Sequence, residues 1–249
     1  MAFSDEADLA GLHACQAALD AGHLRRLMLP AGKLNKRQAA LLDSARQQAI
    51  DVQRADAAAF AVAAPAGLRH QGALAWTQTR GAGAPADLDS LLEGSGSDRL
   101  ILILDGIEDP RNLGACLRCA DGAGVDAVIV PRNRSAPLSA IARKTAAGAA
   151  EALTIIEVAN LAQALRRLQQ AGIRIVGLAD ASATDIYAAD LKLPLALVMG
   201  NEGQGLRQLT QQHCDELLSL PMHGSVSSLN VSVATGVALY EVRRRSTQL

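Results

Sequence analysis

The sequence predicts an α/β protein in two parts: a small α/β domain, then a larger three-layer α/β domain built on a parallel sheet. Two observations lead there. Beyond residue 98, short apolar runs alternate with amphipathic helical patterns, and helical crossovers between such runs leave neighbouring strands parallel. Before it, Gly81-Ala82-Gly83-Ala84-Pro85 and Gly94-Ser95-Gly96-Ser97 break the composition, because glycine and serine loosen a chain and proline resists both helix and central strand. The expected division is a small domain over residues 1–76, a flexible linker over 77–97 with a short helical DLDSLLE segment inside it, and a second domain over 98–249.

In the first part, Ala14–Leu19, Gln38–Gln48 and Asp56–Phe60 have helical character, and Leu24–Leu29, Ala49–Gln53 and Gly72–Trp76 read as strands. In the second, Leu100-Ile101-Leu102-Ile103-Leu104 is unbroken in its apolarity, as expected of a strand covered on both faces. Asp105 to Pro110 is a loop. Asn112 is placed to cap a helix in which Leu113, Cys116, Leu117 and Ala120 recur at i, i+3, i+4 and i+7, and Gly122 and Gly124 end it. Val128–Val130 and Thr154–Val158 are the next strands. Leu161, Leu165 and Leu168 stripe a helix, Gly172 stops it, and Ile173–Leu178 is a strand. Leu195–Met199 is a further buried run, followed by a glycine-rich turn, a helix from Leu206 to His213 and a strand at Leu217–Leu220. Asn230 to Arg245 is the final helix, whose three closing arginines suit the negative end of its dipole.

With 249 residues and 49% hydrophobic positions, the chain has material for two cores. No apolar run reaches the length of a membrane span. Asp5, Glu6 and Asp8 precede any apolar stretch, the wrong charge for a secretory signal, so a cytoplasmic protein is expected. The net charge of −1 leaves nucleic-acid binding to local patches. Arg132, Arg134, Arg143 and Lys144 fall in a stretch without an acid, Arg243–Arg245 form a second block, and Lys33, Lys36 and Arg37 a third. Taken singly, each is better explained as a solvated face. Cys116-x-x-Cys119 has metal or redox spacing, but no second pair lies nearby and a helix turns both inward, so no metal is expected.

Ligands of open parallel sheets bind where the strands end. Three turns after strands are rich in chemistry: DGIEDPRNLGACLR at 105–118, MGNEGQGL at 199–206 and LPMHGSVSSLNVS at 220–232. The second has the order G-x-x-G-x-G, late in the chain, with no acid closing the next strand and no Gly-Lys-Ser/Thr. That disfavours a dinucleotide-binding dehydrogenase and a P-loop. Its glycines instead let main-chain groups approach an adenine or ribose, with the Glu202 carboxylate beside them. The third carries Ser225, Ser227, Ser228 and Asn230 within six positions. Helix capping by Ser228 or Asn230 accounts for one of these and not for the set.

Together these turns resemble the SpoU (TrmH-type) family of RNA ribose 2′-O-methyltransferases. Asn112 and Arg118 match its N-x5-R motif, Gly200, Glu202 and Gly205 its G-x-E-x-x-G motif, and Ser228-Leu229-Asn230-Val231-Ser232 its S-L-N-V-S motif, in order and in spacing. The likeness covers 98–249. At the front, GLHACQAALD and RHQGALAW are similar to the opening and closing stretches of the family's small substrate-binding domain. PRNLGACLRCADGAGVDAVIVP and GSVSSLNVSVATG are most similar to members that act on a guanosine of bacterial large-subunit, 23S ribosomal RNA.

The resemblance implies a C-terminal trefoil-knot (SPOUT) domain, which ordinary topology rules would not propose, preceded by an L30e-like small α/β domain. It implies a homodimer, S-adenosylmethionine as cofactor and ribosomal RNA as substrate. Main-chain groups at Gly200, Leu220 and Leu229, with Met222 beside them, would hold the cofactor. Arg118, Asn112, Glu202, Ser228 and Asn230 would be the catalytic set, and Arg132, Arg134, Arg143 and Lys144 would bind RNA. Free arginine titrates above about 12, which makes Arg118 a poor base and a good phosphate anchor. Asn112 would orient Arg118 or the ribose. Two alternatives stay open: ribose methylation of tRNA, and a non-catalytic RNA-binding assembly factor on the same fold.

Overall fold

Two sheets organise the computed structural model, which describes residues 7–20, 22, 24–64, 70–77, 88–93, 98–179, 182 and 184–246. The first sheet is formed by β1 (Leu9–Ala10), β2 (Leu24–Pro30), β3 (Asp51–Ala55) and β4 (Leu74–Thr77), in the order β1-β4-β2-β3. β2 runs parallel to β3, and β4 is antiparallel to both β1 and β2. Alternation along β2 divides its side chains: Leu27 and Leu29 pack with Cys15, Leu19 and Leu41, and Met28 packs with Phe60, Leu74 and Trp76. The helices are α1 (Leu12–Asp20), α2 (Lys36–Gln47) and α3 (Ala57–Ala63). A capping box of Asn35 and Gln38 starts α2, and the Asp56 carboxylate, accepting from the Ala59 N–H, starts α3.

After α4 (Leu88–Glu93), the second sheet takes β5 (Leu100–Asp105), β6 (Ala127–Pro131), β7 (Ile155–Val158), β8 (Arg174–Leu178), β9 (Leu195–Gly200) and β10 (Glu216–Leu218). Its order is β10-β8-β9-β5-β6-β7, and every pairing is parallel. In β5 and β9, alternate residues enter two different cores. Leu100, Leu102, Leu104, Leu195 and Leu197 face the layer of α5 (Pro110–Gly122), α6 (Ala140–Ala146), α7 (Ala149–Ala152) and α10 (Val231–Ser246). Ile101, Ile103, Ala196 and Val198 face α8 (Leu161–Gln170), and α9 (Gln208–Gln212) follows β9. Both faces are covered, which is why these strands read as unbroken apolar runs.

The structure corrects several expectations. The DLDSLLE segment is not a free linker helix: Leu88 is buried in the core with Ile101 and Leu165, and Arg167 pairs with Asp89. Thr77, assigned to the linker, closes β4, and residues 78–87 and 94–97 lie outside the described residues. Asn112 does not cap α5. Asp109 does, accepting from the Arg111 N–H at 2.6 Å, with Pro110 at the first helical position, where its missing N–H costs nothing. The helices α6 and α7, between β6 and β7, were not expected. They form the seat of the small domain: α1 packs on α7, and β1 on α6. Gly148, at φ +104°, allows this approach, since a Cβ there would lie 2.6 Å from that of Ala17.

Candidate functional site

Because the second sheet is parallel, β5, β8, β9 and β10 all end on one edge. Asp105 and Gly200, the last residues of β5 and β9, are register partners, so the turns that follow them lie side by side. Asn201 Nδ2 donates to the Gly106 carbonyl at 2.9 Å. Asp105, fully buried, accepts the Arg207 N–H at 3.1 Å and lies 3.4 Å from its guanidinium, which also reaches the carbonyl of Arg134. One arginine thus ties three strand-end turns together. Sequence reasoning missed both Asn201 and Arg207; the signal was their place inside and directly after the glycine-rich turn.

That turn is closed by mutual hydrogen bonds between the backbones of Asn201 and Gly205. Gly200 has to be glycine, because a Cβ would meet Gly205 and Leu206 backbone atoms at 2.2–2.4 Å. The turn forms one wall of an open cleft. Gly200, Leu220, Met222 and Leu229, the residues expected at a cofactor, all line it, as do Glu202 and Ser228. Leu178, Ala179 and Ala234 add apolar wall from outside the three motif turns. Backbone groups of residues 220–229 make no hydrogen bond among the described residues, so a ligand meets free donors and acceptors against an apolar surface.

On the rim, three polar side chains from three turns converge. Asn112, third residue of α5, donates through Nδ2 to Glu202 Oε1. Asn230 Nδ2 donates to the same oxygen at 2.8 Å and to Asn112 Oδ1 at 3.2 Å. Asn230 also caps α10, its Oδ1 accepting the Ser232 N–H at 3.0 Å. Capping and site-building are therefore both true of one side chain.

Arg118 is not brought into this cluster. It sits further along α5, exposed, with no hydrogen bond or ion pair among the described residues. Arg132, Arg134 and Lys144 are exposed as well. Arg143 departs from the expected RNA-binding set: it turns inward to Glu151 Oε1 at 2.7 Å. The cysteines are all free, and burial pushes the Cys116 thiol up to about 12, away from nucleophilic use. No group of three metal-ligating side chains occurs among the described residues, nor any helix long and apolar enough to cross a membrane.

A ligand cleft over the carboxyl edge of a parallel sheet, rimmed by a carboxylate with two amides, defines an α/β ligand-binding enzyme domain. The comparisons with known proteins specify which. Residues 99–240 match the SpoU rRNA Methylase family, and residues 9–79 match the family described as RNA 2′-O ribose methyltransferase substrate binding. The 23S rRNA (guanosine-2′-O-)-methyltransferase RlmB of Haemophilus ducreyi is 50% identical over 238 residues, covering 94% of this chain and 96% of its own. The protein of that name from Pasteurella multocida is 49% identical with the same coverage. Among solved structures, the SpoU methyltransferase AviRb from Streptomyces viridochromogenes, in complex with the cofactor AdoMet, superposes with a TM-score of 0.81. It is 25% identical, covering 95% of this chain and 89% of that one. The chain belongs to the SpoU rRNA methylase family.

Proposed function

We propose that this protein transfers a methyl group from S-adenosylmethionine to the ribose 2′-hydroxyl of a guanosine in 23S ribosomal RNA. The observation that carries this is the meeting of Asn112, Glu202 and Asn230 on the rim of the cleft lined by Gly200, Leu220, Met222 and Leu229. The specific substrate rests on relatives about half identical along nearly their whole length, which are named for that reaction.

When bound, S-adenosylmethionine supplies a methyl group on a sulfonium, from which a neutral thioether is the leaving group. The protein's share is to hold the two reactants in line and to stabilise charge as it develops. Apolar walls and free backbone groups at 220–229 suit the adenosine part. Glu202 Oε1 takes both amides, while Oε2 makes no hydrogen bond among the described residues and is available to a ligand hydroxyl. Ser228, at the cleft wall, is a further donor or acceptor toward the ribose. Arg118 is an anchor for RNA phosphate and a stabiliser of the developing alkoxide, and Arg132, Arg134 and Lys144 extend the phosphate grip.

A small domain that ends with β4, the trefoil knot, the homodimer and a cytoplasmic site of action come with this assignment. Insertion of β9 between β5 and β8 supports the knot, and exposed Val233 and Tyr240 on α10 support the dimer. The test is methylation of 23S rRNA and of tRNA with labelled cofactor, followed by mapping of the modified ribose. One 2′-O-methylguanosine in 23S rRNA is the expected product. Label entering tRNA instead moves the assignment to that substrate, and failure to bind the cofactor by calorimetry leaves a non-catalytic RNA-binding factor.

A further inference from the structure

Asn230 carries the amide that joins two other motif residues, and an amide is chemically two-ended. Rotated by half a turn, it would point oxygen at the Glu202 carboxylate and at Asn112 Oδ1, replacing two donor contacts by repulsion. What fixes its sense is Ser232. The Ser232 hydroxyl donates to Asn230 Oδ1 at 2.6 Å, and the Ser232 N–H donates to the same oxygen at 3.0 Å. The N–H, which can only donate, identifies that end as oxygen; the hydroxyl donates to it as well, and Nδ2 is left for Glu202 at 2.8 Å and Asn112 at 3.2 Å. With Asn112 Oδ1 occupied as an acceptor, Asn112 Nδ2 is the end that reaches Glu202 Oε1. The chain of hydrogen bonds therefore has one direction, from the Ser232 hydroxyl through both amides to the carboxylate.

We propose that Ser232 is a positioning residue for the reaction: its hydroxyl, donating to Asn230 Oδ1 beside the backbone N–H, holds the Asn230 amide in this orientation, and through it the hydrogen bonds made to Glu202. This rests on the methyl-transfer assignment above for its kinetic consequence, though not for its geometry. The backbone N–H alone would hold the helix cap, so the hydroxyl is redundant for capping and specific to the network.

The experiment compares wild type with Ser232→Ala and Ser232→Thr, each also in an Asn230→Ala background, on 23S rRNA with saturating S-adenosylmethionine. The loss of one neutral hydrogen bond predicts a fall in kcat of roughly threefold to tenfold in Ser232→Ala. Cofactor affinity stays unchanged, Ser232→Thr recovers the rate, and Ser232→Ala has no further effect once Asn230 is alanine. The side-chain amide signals of Asn230 in a nitrogen-15 spectrum should shift in Ser232→Ala and remain native-like in Ser232→Thr. A wild-type rate in Ser232→Ala, an equal fall in the Asn230→Ala background, or unshifted amide signals would overturn the proposal. If the wild type transfers no methyl group, the functional assignment fails, and the amide signals still decide the role of Ser232.

Discussion

Arg143 donates to Glu151 Oε1 at 2.7 Å where both side chains are withdrawn from water, at 17% and 1% exposure. The second oxygen of Glu151 is buried with no hydrogen-bond partner among the described residues. A cation that sequence patterning assigns to RNA instead neutralises a carboxylate on the helix against which the small domain is seated.

Removing Arg143 therefore strands a buried charge. Arg143→Met is expected to destabilise the protein by about 3 kcal/mol. The double variant Arg143→Met/Glu151→Gln should recover most of that loss, because no charge is then left behind. Urea denaturation of the four proteins in this cycle checks both expectations.

Two buried glutamates give pH dependences of opposite sign. Desolvation raises the Glu151 carboxyl above 4.5 despite Arg143, so the folded protein keeps a proton that the unfolded chain releases. Its contribution is favourable below the ordinary carboxylate range and lost as pH rises through its folded value. Glu241 is held down to about 2, first by its hydrogen bond from Arg244, with Arg245 adding a second. Its contribution is present above 4.5 and lost as pH falls toward 2. Stability measured against pH should lose its upper slope in Glu151→Gln and part of its acid slope in Glu241→Gln.

Gly200 is predicted to tolerate no side chain. In Gly200→Ala the new methyl would lie 2.2 Å from the Gly205 carbonyl carbon, and backbone cannot give way as a flexible side chain can. The pinched turn opens, costing about 1–3 kcal/mol, and the cleft wall moves. Calorimetry should show cofactor affinity lost or greatly weakened while far-ultraviolet circular dichroism stays native.

Arg118→Ala should separate binding from chemistry. The side chain is exposed and outside the amide–carboxylate cluster, so folding and cofactor affinity are expected to stay intact. Removing a group that stabilises developing charge predicts a rate loss of roughly a hundredfold in single-turnover methylation. A near-normal rate would take Arg118 out of the mechanism.

The elements of this protein were legible in its sequence because they are written at short range. The unbroken run Leu100–Leu104 and the stripe Leu161, Leu165, Leu168 follow from backbone geometry within a turn or a pleat, and Leu100 to Leu104 indeed send alternate side chains into two cores. The three motif turns also announced themselves, since parallel strands leave their chemistry at one edge. Tertiary structure alone decided that β9 inserts beside β5, that Arg143 faces inward, that Asn112 yields the cap to Asp109 and that Arg207 ties the turns. The contacts that build the site join residues 28, 90 and 118 positions apart. No local preference encodes such pairings. They are set by which strands become neighbours when the apolar faces are buried.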